Sequence, residues 1–372
     1  MLFTFKEKES LLYNLCLFPK LLYITEADFS RLNEVLEDQL TDTFVHHEAY
    51  VAFVKAAQSD LEPYKDPLLG FYADEAISNY DFPMLLFRTY SFFGYDTYRD
   101  YLNAIMDDDE ATLQKNLIHA LLTVEQTETG LSDADAAIEA DTIRTDREKL
   151  MQLIRSTPTT ENHRWILMLL IDSPKAYLEV YRDLLDTIKP IFDKHFADHH
   201  DRFTHYKETV VKPLETEGLD AFTTLTQGMV PADVIETDLP FITSIVEPYR
   251  FSILRFGPDK CILFGLEMQT GFARIAEFEQ DSRKNRAKVF KTLSDETRYE
   301  VLRLLARGMT STKEIANTLG VSSATITYHI NAFLTAKVIR VDKAKQAKYL
   351  IDFDRLNTLW HDFLDDLKPD NV

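Results

Sequence analysis

Four of the ten histidines crowd into one run, KHFADHHDRFTH: His195, His199, His200 and His205, with Asp198 and Asp201 between them. Residues four apart share a helix face, so His195 and His199 are spaced to offer two imidazoles to one metal ion. A third ligand is not visible in the sequence, and a polar helix surface accounts for the same residues. His195 and His199 are kept as candidate ligands, and no metal is assigned. A second chemistry-bearing region is basic: Arg283 to Ile351 holds 14 Lys and Arg against 5 Asp and Glu, a net of +9, which suits a polyanion. No glycine-rich phosphate loop, G-x-S-x-G, H-E-x-x-H or C-x-x-C motif occurs. Two cysteines, Cys16 and Cys261, cannot build a disulfide framework or a multi-cysteine zinc site within one chain. The chain is therefore read as a non-enzyme without a cofactor.

The elements that must position these groups are helical in the main. Glycine supplies only 10 of 372 residues, well below the usual level of about 7%, and strand-rich folds with many tight turns need more. At 45% hydrophobic and 27% charged, the composition is that of a globular protein. The longest notable apolar run, Trp165 to Ile171, falls short of the roughly 18 residues of a spanning helix. The start, MLFTFKEKES, lacks a basic segment followed by an apolar one. The expectation is a soluble, cytoplasmic protein with no membrane partner. The net charge of −20 argues against nucleic acid on average, but outside the basic stretch the chain carries 27 Lys and Arg against 56 Asp and Glu. Two electrostatically different bodies are expected.

The acidic region spans residues 1 to 282. Before Ala27, short strands and a buried helix are equally readable. From Glu26 to Gln58, apolar residues recur at three and four, which suggests two amphipathic helices. Further helical patterns run over Phe82 to Phe93, Ala111 to Val124 and Ala134 to Ile154, and Glu125 to Glu148 is an acidic stretch without aromatics. Ser173-Pro174 opens a long helix toward Val211 that Pro190 should kink or divide. Tyr249 to Arg255 and Lys260 to Leu266 flank Gly257-Pro258-Asp259 as a hairpin.

In the basic region the local signals are dense. Ser294 with Asp295 and Glu296 starts a helix that Gly308 stops. Ser311-Thr312-Lys313-Glu314 is a capping box opening a short second helix that ends at Gly320. Ser322 caps a third, with Ile326, Ile330, Phe333 and Leu334 inward. Val338 to Val341 and Lys348 to Ile351 flank a polar turn as a β-hairpin, so the pattern is a winged helix-turn-helix. The runs FKTLSDETRYEVLRLL, TSTKEIANTLGVSSATITYHINAFLTAKVIRV and KYLI resemble the ArsR-type winged-helix transcriptional regulators, in motif and in order. The resemblance covers about 70 residues.

That resemblance implies that the third helix enters the major groove, with Ser323, Ala324, Thr325, Thr327, Tyr328 and His329 at the bases, where hydroxyls bond base edges and methyls meet thymine. It further implies that Lys343, Lys345 and Lys348 meet phosphates from the wing, and that Arg298 is structural. The sequence departs from the family in lacking a cysteine pair on the STKEIA helix. On the last helix, Asp354, His361, Asp362 and Asp365 include a single imidazole. The long N-terminal region resembles the helical extensions of some longer ArsR-type regulators. The resulting expectation is a mainly α protein: a large acidic helical regulatory or dimerisation domain with a minor β-hairpin (1–282), a winged helix-turn-helix (283–352) and a C-terminal amphipathic helix (353–372). Its function is expected to be sequence-specific binding of double-stranded DNA as a homodimeric transcriptional regulator, a repressor by the family's habit, answering an unknown effector. The alternatives are a protein-interaction module that uses the winged helix as a scaffold, or an enzyme domain fused to a DNA-binding module.

Overall fold

Polar residues with oxygen side chains set where five helices of the larger unit begin. In the computed structural model, which describes residues 3–25, 47–73, 79–124, 132–231, 235, 238–280, 282–309, 311–342 and 348–368, the chain divides into two compact units. The larger comprises Met1–Gln126 with Leu131–Arg274, and Ile275–Val372 makes up most of the smaller. The larger unit is mainly helical: α1 (Glu7–Leu17), α2 (His47–Leu61), α3 (Phe82–Thr89), α4 (Tyr98–Met106), α5 (Glu110–Thr123), α6 (Asp133–Arg144), α7 (Arg147–Ser156), α8 (Glu161–Asp172), α9 (Pro174–Ala197), α10 (His200–Tyr206), α11 (Lys212–Glu217) and α12 (Leu219–Leu225), with short single-turn pieces between them. Thr97, Asp109, Ser132, Asp146 and Thr160 cap α4 to α8 by accepting hydrogen bonds from backbone N–H groups of the first turn. No described helix is long and apolar enough to cross a membrane.

The expected hairpin is present as β3 (Phe251–Phe256) and β4 (Asp259–Phe264), paired antiparallel around Gly257-Pro258. It is not a minor appendage. Strands β1 (Phe3–Phe5) and β2 (Leu239–Ile242) extend it into a four-stranded mixed sheet of order β1-β2-β4-β3. β1 pairs parallel with β2, Phe3 opposite Leu239, and β2 parallel with β4. A parallel pair requires a long crossover, and here nearly the whole helical body lies between β1 and β2 in sequence. Asn14 of α1 ties the sheet to the helices. Its side-chain amide donates to the carbonyls of Ser10 (2.7 Å) and Thr243 (2.8 Å), and its oxygen accepts from the Ile245 amide (2.8 Å) and the Ser244 hydroxyl (3.0 Å). The core around it is aromatic, with Phe3, Tyr13, Phe18, Phe87, Phe92, Tyr101, Tyr181 and Phe256 fully buried.

Three helical expectations are corrected. Ala134 to Ile154 is two helices, because Asp146 breaks the first and caps the second, accepting from the Glu148 and Lys149 amides at 3.0 and 3.2 Å. Pro190 does not divide α9, which runs through it to Ala197. Leu184, Leu185 and Ile188 are buried before it and Phe192 and His195 after it, and packing on both sides outweighs the roughly 3 kcal/mol that a mid-helix proline costs. The break falls instead at Asp198-His199, short of the expected run to Val211. The residues before Ala27 form both expected alternatives in turn, β1 and then α1. Of the two helices expected over Glu26 to Gln58, residues 26–46 lie outside the described residues, and α2 accounts for the rest. Residues 125–131 of the acidic stretch also lie outside them, while its later portion forms α6 with Ala136, Ala140 and Ile143 buried.

The smaller unit follows helix α13 (Met268–Gln280), which carries the unit boundary, with α14 (Ser282–Leu293), α15 (Glu296–Ala306), α16 (Thr312–Leu319), α17 (Ser323–Thr335), strands β5 (Ile339–Asp342) and β6 (Lys348–Ile351), and α18 (Phe353–Asp366). Its core gathers Val301, Leu305, Ile315, Ile326, Ile330, Phe333, Val338 and Leu359. Arg286 of α14 is buried against α18, where it bonds Asp366 and lies 3.8 Å from Asp362. Phe290 meets the Phe363 ring edge-on at 4.8 Å.

Candidate nucleic-acid interface

Helix α17 is placed by the two elements before it. Asp295, one residue after the expected Ser294, caps α15 by accepting from the Arg298 amide at 2.8 Å; the Ser294 hydroxyl donates instead to the Lys291 carbonyl. Ser311 caps α16 as expected, accepting from the Glu314 amide at 3.3 Å. Gly320 ends α16 at φ +68°, ψ 29°, the left-handed conformation that glycine adopts without cost, and this reverses the chain within a few residues. Ser322 then caps α17 through the Thr325 amide at 3.0 Å, and its hydroxyl sits 2.8 Å from that of Thr325. With Ile326, Ile330 and Phe333 buried at spacings of four and three, the opposite face of α17 is fixed toward solvent.

That face carries most of the expected base-contacting residues. Ser323 and Thr325 are half-buried in the first turn, and Thr327 and Tyr328 are exposed. The Thr327 hydroxyl donates to the Ser323 carbonyl at 3.0 Å. Ala324 lies in the same turn of the helix. His329 is different: its ring is buried, with 7% of the residue exposed, and faces α15 rather than solvent. The Arg298 Nε–H donates to its Nδ1 at 3.3 Å. Burial first, and the Arg298 charge second, push the His329 pKa below its ordinary value, so the ring stays neutral and keeps Nδ1 as an acceptor. Arg298 also points an Nη2 toward the Tyr328 hydroxyl at 3.4 Å, and its guanidinium lies over the Tyr328 ring, 5.6 Å from the centroid. Arg298 and His329 thus form a brace behind Tyr328, which agrees with the structural role expected for Arg298 and moves His329 from the base-reading face to the support beneath it.

Lys343 and Lys345 lie outside the described residues. Lys348 opens β6, opposite Asp342 in the antiparallel pair. Two exposed residues escaped the sequence reading. Asn331 stands one turn beyond Thr327 on the same face, where i, i+4 spacing was the available signal, and amide side chains pair with adenine edges. Arg340 projects from β5, hidden from the reading inside the apolar strand Val338 to Val341.

The histidine run does not converge on a metal. The His195 ring is buried with Nε2 2.9 Å from Asp60 Oδ2, and His199 Nδ1 donates to the His195 carbonyl at 2.9 Å while its ring stands edge-on to Phe53 at 4.6 Å. Four-residue spacing here serves packing between α9, α10 and α2. Among the described residues no group of three or more His, Cys, Asp or Glu is arranged to hold a metal ion.

Residues 293–342, from the end of α14 to the end of β5, match the family model of a helix-turn-helix domain. The chain thus carries an ArsR-type helix-turn-helix, preceded by a long, mainly helical region, and that domain implies DNA binding. Neither a curated protein nor a solved structure matches the chain.

Proposed function

We propose that the protein is a sequence-specific DNA-binding transcriptional regulator that represses by occluding promoters, with its larger unit sensing an effector. The observation that carries the reading is the solvent face of α17, where Thr327 and Tyr328 stand exposed over an Arg298–His329 brace at the position a recognition helix presents to the major groove. Repression by an effector-sensitive protein is a population shift: an effector that favours a conformation with misplaced recognition helices lowers operator affinity by its differential affinity for the two states.

The functional unit in this reading is a homodimer. One winged helix reads too few base pairs for useful specificity, whereas two related by a dyad about 34 Å apart read a pseudo-palindrome. Helix α18 supports it with Phe353, Trp360, Leu364 and Leu367 exposed on one face. The test is selection of genomic DNA fragments by the full-length protein, followed by titration of a recovered fragment over a range of salt. Recovery of fragments sharing a pseudo-palindrome, bound more tightly than random-sequence DNA, is the expected result. Binding without sequence preference at every salt concentration overturns the reading in favour of a scaffold or interaction role.

A further inference from the structure

Residues 1–282 carry 25 Lys and Arg against 50 Asp and Glu. Within this acidic region a cleft of about 360 Å³ has the opposite character. It lies among the end of α3, the middle of α5, the start of α6 and the β3–β4 turn, and Arg88, Lys115, His119 and Arg255 line it together with Thr89 and Asp133. The β3–β4 turn can approach α3 so closely because residue 257 is glycine. Its φ is +54°, its amide donates to the Phe87 carbonyl at 2.9 Å, and an added Cβ would stand 2.9 Å from the Ser91 nitrogen.

The donors in this cleft are incompletely used. Arg88 is anchored through Nη1 and Nη2 to the carbonyls of Thr123 (3.0 Å) and Val124 (3.4 Å) at the end of α5, while its Nε is buried without a hydrogen-bond partner. The Thr89 hydroxyl is buried without a partner as well. His119 Nε2 lies 3.3 Å from Asp133 Oδ1 but makes no hydrogen bond. Arg255 lies 3.6 Å from the other oxygen of Asp133, and no ion pair of Lys115 occurs among the described residues. One carboxylate therefore faces three permanent cations and a histidine. Burial pushes the Arg88 pKa down from its ordinary value, as expected for a guanidinium whose partners are carbonyls only. Buried donors left unmade are costly, and here they lie on residues that line a cleft with three permanent cations and one carboxylate, a setting matched to an acceptor-rich guest.

We propose that this cleft binds the phosphate group of a small phosphorylated metabolite. The donors come from α3, α5 and β3, hence from several directions, which suits the tetrahedral oxygens of a phosphate better than the planar pair of a carboxylate. The volume leaves room for a small organic body beside the phosphate and sits at the low end of ligand pockets. As the effector site of a regulator the cleft rests on the function proposed above, but the binding itself does not.

The experiment therefore uses the full-length protein without DNA. Calorimetric titration and thermal unfolding are followed with inorganic phosphate, with glucose 6-phosphate and with acetate, each against chloride at equal ionic strength. The phosphate compounds are expected to bind and to raise the melting temperature, and acetate is not. A stronger effect of glucose 6-phosphate assigns the site to a metabolite, and equal effects assign it to free phosphate. Lys115→Gln and Arg255→Gln each weaken binding roughly tenfold or more, and Lys115→Arg, which keeps the charge, restores most of it. The proposal is overturned if phosphate acts no differently from chloride, if acetate matches it, or if binding survives unchanged in both glutamine variants.

Discussion

Replacing Arg298 with alanine tests whether Tyr328 reads DNA from a braced position. The guanidinium makes one hydrogen bond to a neutral imidazole at 3.3 Å, a longer one to the Tyr328 hydroxyl at 3.4 Å, and a cation–π contact at 5.6 Å. A hydrogen bond of this kind contributes about 0.5–1.5 kcal/mol, the longer one falls at the low end of that range, and an exposed cation–π contact adds about 0.5–1 kcal/mol. Together they hold the reading conformer by about 1.5–3 kcal/mol, so their loss divides operator affinity by at most roughly 10 to 150 through the smaller competent fraction. The assay is fluorescence anisotropy on a selected DNA fragment and on random-sequence DNA, repeated over salt. Arg298→Ala should weaken the selected fragment far more than random DNA and leave the slope of log affinity against log salt unchanged. A phosphate-contacting arginine behaves differently: its removal lowers binding to both DNAs and reduces the slope by about 0.9. Combined change of Lys343, Lys345 and Lys348 to alanine should show that second behaviour and serves as the contrast. In a Tyr328→Ala background, Arg298→Ala should cost little more, because the two act through one contact. Equal losses on both DNAs with a reduced slope, or fully additive losses in the double variant, would refute the brace.

Three further outcomes follow from the geometry. Gly320→Ala meets no atom within 4 Å of the new Cβ but must hold φ +68°, so it should lower the stability of the smaller unit by about 1–2 kcal/mol in denaturant titration; Gly257→Ala, strained and also crowding backbone at 2.9 Å, should cost more. His199 has its pKa held below the ordinary value first by burial, so the folded state favours the neutral ring. Its contribution is complete above the unfolded value of about 6.5 and is lost as pH falls through the lower folded value, so His199→Gln should flatten the decline in melting temperature on acidification from neutrality, and an unchanged pH slope would contradict this. If the proposed dimer forms through this face, Trp360→Glu together with Leu367→Glu, which places charges at exposed positions on α18 and just past its end, should leave the full-length chain monomeric in light scattering, whereas self-association that persists would move the interface to another surface.

The smaller unit was legible because its signals are local. Ser311, Gly320 and Ser322 mark helix ends within a residue of where they act, and apolar spacing of four and three fixes which side of α17 is inward. The four-stranded sheet was not legible for the opposite reason. β1 is three residues long, β2 contains Pro240, which demotes a run as a strand, and the two meet across more than two hundred residues. Only the hairpin, whose pairing is again local, could be read. Pro190 shows the same balance within one helix: local propensity argues for a break, and burial of Leu184, Leu185, Ile188 and Phe192 overrules it.

Side-chain chemistry was legible to a different degree. Spacing identified the face of α17, but spacing could not tell that His329, next to the exposed Tyr328, turns under the helix to meet an arginine 31 residues earlier. The same limit made His195 and His199 look like ligands, although Asp60 and Phe53, from a helix more than a hundred residues away in sequence, occupy those rings. The cationic cleft is the extreme case. Arg88, Lys115 and Arg255 come from three separate stretches, so no sequence window shows their charge as a group. A run of histidines in sequence and a cluster of cations in space are different objects: the histidine rings are taken up by Asp60, Phe53 and a backbone carbonyl, whereas the cationic cleft retains buried donors without partners.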